Sequence, residues 1–175
     1  MKQNQLQSLI HIVIVLSLFA AIVRAEDTVP LPLNIERAVM TRGYDGTMCW
    51  VHARAGAIPS KDATSPPTIV TTTQPLMLTG SDVFYALNSS VSRDLGETWS
   101  PLTPQAGFER WKIADRTEET VSDFTPAWHQ ATKKLLGTGH TVRYFDNQVM
   151  EVRPRFTAYS VYDPIADVWG KPKTL

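Results

Sequence analysis

Asp123, His129 and His140 are the residues of this chain best equipped to move a proton. Imidazole is the side chain that changes charge near neutral pH, and a carboxylate beside it can orient the ring. Asp123 and His129 are both odd-numbered, so on one unbroken strand they face the same way. His140 neighbours them if the chain returns as a hairpin. Such a set could bind a sugar, supply a proton or hold a metal, or be no more than mutually hydrogen-bonded polar groups. A third close-spaced ligand is missing, so neither a metal nor any other cofactor is expected. Arg153 and Arg155, on either side of Pro154, offer two guanidinium groups to an anionic ligand or to solvent. Cys49 is the only cysteine and stands between Met48 and Trp50, which reads as a buried structural thiol and excludes an intrachain disulfide. Asn88-Ser89-Ser90 is a glycosylation sequon inside a predicted strand.

Positioning such residues falls to short β-elements. Thr68-Ile69-Val70-Thr71-Thr72-Thr73 is β-branched throughout and predicts a strand, ended by Gln74-Pro75. Met48 to Ala53 predicts the strand before it, with a polar loop over 54–67. Leu76-Met77-Leu78 and Val83 to Val91 predict two more. The next stretch, Ser92-Arg93-Asp94-Leu95-Gly96-Glu97-Thr98-Trp99, has the makings of a tight turn. Asp94 can fold its carboxylate onto nearby N–H groups, Gly96 can take the positive φ that closes the turn, and Ser92 and Thr98 add hydroxyls to the network. Trp99 would open a fourth strand and anchor the turn. A similar order returns later. Phe124 to Gln130, Lys133 to Tyr144 and Phe156 to Tyr162 predict strands, Asp163 to Asp167 a turn, and Val168-Trp169 a last strand, with Trp169 falling 70 positions after Trp99. Phe108 to Ile113 predicts an edge strand and Asp115 to Thr120 a charged loop. No long stretch has a 3.6-residue apolar period, so an α-rich fold is not expected.

The pattern Ser92-x-Asp94-x-Gly96-x-Thr98-Trp99 resembles the Asp-box found between the third and fourth strands of blades in sialidase-type β-propellers. Tyr162-Asp163-Pro164 followed by Trp169 is similar to the equivalent turn of kelch blades. The resemblance implies an all-β, partial sialidase-type β-propeller of two to three four-stranded antiparallel blades, with the Asp-box turn on the rim away from the site. Residues 45–102 carry most of it and resemble the start of an exo-α-sialidase (neuraminidase). That family opens with Arg-Ile-Pro, whose arginine begins a three-arginine clamp on the sugar carboxylate. Here Arg54 is separated from Ile58-Pro59 by three residues. The resemblance implies Arg54 as a carboxylate-clamp candidate, through paired charge-assisted hydrogen bonds, and Asp82 as a candidate acid/base. Asp123, His129 and His140 are then candidate substrate-binding residues. A tyrosine nucleophile with its glutamate, the exception to the two-carboxylate scheme, and the other two arginines would lie beyond Leu175.

Met1-Lys2, an apolar run from Leu9 to Val23, and Val23-Arg24-Ala25 predict a signal peptide over 1–25, with the propeller portion over 26–175 and a secreted or periplasmic location. Removing 1–25 leaves 15 basic and 17 acidic residues, a net charge of −2, which is no nucleic-acid footprint. The expected function is sialidase-like exo-glycoside hydrolysis of terminal glycan sugars by a longer protein, this portion alone being inactive. The alternative is a non-catalytic Asp-box propeller that binds carbohydrate or protein. The expected partner is a glycan or sugar, with no nucleic acid and no stable membrane span after signal cleavage.

Overall fold

A computed structural model describes residues 35–62, 64–78 and 82–175. The predicted signal peptide lies outside the described residues, as does most of the predicted turn at Thr79–Ser81. Two units divide the chain at Arg37/Ala38, and the architecture below is that of the second, Ala38–Leu175. Among the described residues there is no helix, and none long and apolar enough to cross a membrane.

The first sheet contains β1 (Met48–Ile58), β2 (Thr68–Met77), β3 (Val83–Phe84), β4 (Asn88–Ser92) and β5 (Thr103–Pro104), in the order β1-β2-β4-β5 with β3 beside β2. The second contains β6 (Trp111–Ala114), β7 (Thr117–His129), β8 (Lys134–Phe145), β9 (Gln148–Val149), β10 (Thr157–Asp163), β11 (Val168–Trp169) and β12 (Lys173–Thr174). Its order is β11-β10-β8-β7-β6, with β12 beside β10 and β9 beside β8. All pairings are antiparallel. Each sheet holds a four-strand meander in chain order, enlarged by short extra strands to five and seven strands rather than the four expected.

Several boundaries differ from expectation for local reasons. Gln74-Pro75 does not end β2. Gln74 is 1% exposed, and its Nε2 donates to the carbonyls of Tyr85 (3.0 Å) and Val121 (2.8 Å), so the buried amide nitrogen is partnered. Residues 117–120, expected as loop, belong to β7. Trp99 opens no strand: its Nε1 turns back to the Gly96 carbonyl at 3.1 Å, and the fourth strand forms only at Thr103–Pro104. Cys49 is half-buried rather than enclosed.

One apolar core draws on both sheets: Val70, Leu87 and Val91 from the first meander pack with Val121, Phe124, Leu135, Ala158, Tyr162 and Trp169 from the second. The sheets come close where β1 has no side chain. A Cβ on Gly56 would stand 2.7 Å from Pro126 Cβ and 2.9 Å from Leu135 Cδ1, nearer than packed carbon atoms approach. A smaller cluster of Val83, Val142 and Tyr144 lies apart from this core.

The turn after β4 forms as its residues predict. Ser92 Oγ donates to Asp94 Oδ1 at 2.7 Å and accepts from Gly96 N at 2.8 Å. Asp94 accepts from Thr98 N at 3.0 Å and from the Thr98 hydroxyl. These donors hold the Asp94 carboxyl down at about 2, the Thr98 hydroxyl contributing most. Gly96 has φ +94°, a conformation that glycine adopts without a Cβ clash.

Candidate functional site

The two ends of β2 separate the turn from the candidate site. Ser92 pairs with Ile69 at one end, and Phe84 pairs with Leu76 at the other. Beside Phe84 is a cleft of about 250 Å³ lined by His52, Asp82, Ser122, Asp123, His140, Val142, Arg153 and Arg155. Three expected residues, Asp82, Asp123 and His140, come to it from separate stretches of chain. Arg54 is adjacent, its Nη2 4.0 Å from Asp123 Oδ1 while Nη1 donates to the Ala53 carbonyl at 3.1 Å.

Two irregular strands build the centre of the cleft. The β1–β2 register shifts between Val51 and Arg54, and the β7–β8 register shifts between Ser122 and Thr125. Such shifts re-aim side chains and are common beside active sites. His52 (φ 55°) and Asp123 (φ 53°) sit in these shifts, and Asp82 (φ 52°) leads into β3. Positive φ is uncommon for non-glycine residues, yet three of the cleft residues adopt it. The result brings His52 Nδ1 within 3.1 Å of Asp123 Oδ1, at ion-pair distance but outside hydrogen-bond alignment. His140 Nδ1 lies 3.8 Å from Asp123 Oδ2 on the other side. One carboxylate is thus flanked by two imidazoles and a guanidinium. Burial holds the His140 pKa below its ordinary 6.5; Asp123 opposes that shift, while Arg155, Arg153 and His52 add to it.

His129 does not join this group. It lies at the far end of β7, its Nδ1 2.7 Å from Thr132 Oγ1. The register shift after Ser122 breaks the simple alternation that put it on Asp123's face. Of the sequon, Asn88 is 3% exposed and donates Nδ2 to the Ala86 carbonyl at 2.9 Å. Ser92, Asp94, Gly96, Thr98 and Trp99 belong to the turn and not to the cleft.

Sequence reasoning missed His52 and Ser122. His52 carries no motif and sits in a weakly alternating apolar run. Ser122 pairs with His140 across β7 and β8, a register visible only once both strands are placed. The Asp82–Phe84 wall is held from behind. Tyr144, fully buried, donates its hydroxyl to the Asp82 carbonyl at 2.9 Å and accepts from Phe84 N at 3.1 Å. Arg110 donates Nε to the Phe84 carbonyl at 2.8 Å, its guanidinium 3.9 Å from the Tyr144 ring centroid and 4.4 Å from that of Tyr85. Phe84 in turn packs against His52, ring centroids 4.8 Å apart. Among the described residues no group of three or more histidine, cysteine or acidic side chains is placed to hold a metal ion.

No protein-family model, curated protein or solved structure matches this chain.

Proposed function

We propose that the chain is part of an exported sialidase-type β-propeller, and that the cleft around Asp123 receives the terminal sugar of a glycan. One observation carries this reading: Asp82, Asp123 and His140 line one cleft, with Arg54 beside it. Two carboxylates offer hydrogen bonds to sugar hydroxyls and a site for acid/base work, while guanidinium groups match a sugar carboxylate. Asp82 is the acid/base and Arg54 a carboxylate partner. The nucleophile comes from elsewhere in the protein, since among the described residues the cleft is lined by no tyrosine or glutamate. That same lining favours, as the second reading, a non-catalytic propeller that binds the sugar without cleaving it.

The test is release of a fluorogenic group from a sialoside by the whole protein that carries this chain. The hydrolase predicts release, with Asp82→Asn slowed by about 10²–10⁴-fold, the usual contribution of a positioned acid/base. Saturable sialoside binding without release assigns the non-catalytic reading. Neither binding nor release removes both.

A further inference from the structure

Two buried polar atoms around the cleft lack a hydrogen-bond partner among the described residues, Ser122 Oγ and Arg153 Nε, and both residues line the cleft. His52 Nδ1 also has no aligned hydrogen bond, with Asp123 Oδ1 3.1 Å away. Ser122 is only 1% exposed, so its hydroxyl has no bulk water to turn to. Leaving a buried donor unpaired costs about 1–3 kcal/mol. Neighbouring donors of that kind call for a ligand rich in acceptor oxygens.

Charge points the same way. Arg54 and His52 come from β1, Asp82 from the approach to β3, Asp123 from β7, His140 from β8, and Arg153 and Arg155 from the segment after β9. Three guanidinium groups therefore face two carboxylates, leaving the two imidazoles to set the balance. Arg153 is already oriented, its Nη1 donating to the carbonyls of Met150 and Glu151.

We propose that this cleft is a proton-gated receptor for an oxyanion: it takes the carboxylate of an acidic sugar, and it binds tightly only when His140 carries a proton. The proposal rests on reading this cleft as a sugar site, but it does not require hydrolysis. With His140 neutral, the Asp123 carboxylate turns its charge toward the incoming anion. A protonated His140, 3.8 Å away, offsets that charge and leaves Arg153 and Arg155 to meet the ligand. The sign follows from the environment. Burial and the arginines hold His140 below its ordinary 6.5, so in the free protein its proton is harder to keep than that of a free imidazole. A bound anion cancels the repulsion from Arg153 and Arg155 and raises that affinity for the proton. Binding is therefore accompanied by proton uptake, and affinity rises as pH falls.

Isothermal titration of the full-length chain with glucuronate, glucose and inorganic sulfate tests this at about pH 5 and about pH 7.5, on either side of the ordinary imidazole value. Glucuronate should bind about tenfold more tightly at the lower pH, which is about 1.4 kcal/mol. The heat should vary with the buffer's ionisation enthalpy, reporting proton uptake. Glucose should bind weakly and without pH dependence, and sulfate should compete with glucuronate. His140→Gln should flatten the pH profile; if that variant fails to fold, the buffer dependence of the unsubstituted chain carries the test. Equal glucuronate affinity at both pH values, no proton uptake, glucose binding as well as glucuronate, or sulfate failing to compete would each overturn the proposal. Absence of sialoside release would leave it standing, so the two readings fail separately.

Discussion

Two turns occupy equivalent places in the two meanders and differ in how much of their support is local. The register around them repeats at 70 residues. Ser100 N donates to Val91 O at 2.9 Å, and Gly170 N donates to Val161 O at 3.0 Å. Ser90 Oγ donates to the Ser100 carbonyl at 2.7 Å, and Ser160 Oγ to the Gly170 carbonyl at 2.6 Å. Between these matched bonds the contents diverge. The first turn is self-contained, Asp94 and Ser92 satisfying its own backbone and Trp99 folding over Gly96, half-buried. The second has a smaller local cap, Asp163 Oδ1 accepting from Ile165 N at 2.9 Å and Ala166 N at 3.3 Å, and relies more on its surroundings. Trp169 is 2% exposed and meets Phe124 edge-on at 4.9 Å, Gln105 Oε1 accepts from its backbone N, and Asp167 is held by Tyr162 and Arg93. The same supersecondary step can therefore be closed by local polar bonds or by core packing. The tryptophan that completes the motif contributes less to the core than the one that follows a degenerate turn.

Trp169→Ala should break this comparison most severely. It empties the centre of the shared core and should cost about 3–5 kcal/mol, whereas Trp99→Ala, losing a half-exposed ring and one hydrogen bond, should cost about 1–2 kcal/mol. Urea unfolding of both variants decides it; equal losses would mean that both tryptophans are core residues. The next effect is on pH. The folded-state pKa of Asp94 is depressed from 3.8 to about 2 by its hydrogen bonds. Its contribution to stability is therefore present above the unfolded value and lost as pH falls through about 4 to about 2. Thermal melts should show Asp94→Asn less stable than the unsubstituted chain at neutral pH, the gap closing toward pH 2.

This contrast also explains what could be read in advance. A turn closed by its own residues is written in eight consecutive positions, so the roles of Ser92, Asp94, Gly96 and Thr98 could be assigned from residue type and spacing. The repeat was legible because β-strands and tryptophan mark it regardless of how the turn is held. The cleft was legible in part. Asp82, Asp123 and His140 are chemically conspicuous, but His52 joins them only through two register shifts that no local pattern encodes. Those shifts also separate His129 from Asp123. Gln74-Pro75 read as a break because the two carbonyls that accept from Gln74 Nε2 lie 11 and 47 residues away. Where the partner is distant in sequence, the residue type alone misleads.

The matched serines sharpen the comparison at smaller scale. Ser90 and Ser160 are 2% and 3% exposed, and each ties its strand to the carbonyl that follows the turn. Alanine at either should cost about 1 kcal/mol, the usual net value of a neutral hydrogen bond. The two sit in separate sheets with no shared partner, so the double variant should show additive losses. Unequal single costs in denaturant titrations would show that the repeat is one of register and not of energy.

Arg93 gives the smallest effect and the most direct one, because it joins the two turns. Its Nη2 reaches both carboxylate oxygens of Asp167 at 2.8 Å, and Asp167 also accepts from the Tyr162 hydroxyl at 2.9 Å. The pair is open to water, 55% of the Arg93 side chain and 37% of the Asp167 side chain remaining exposed, so Arg93→Ala should cost only about 0.2–1 kcal/mol. Salt separates this contact from packing: raising the ionic strength should weaken the unsubstituted chain relative to Arg93→Ala until the two unfold together. A gap that survives concentrated salt would mean that the arginine stem holds the turns together. The second turn would then lean on the first through apolar contact, as it already leans on Phe124 through Trp169.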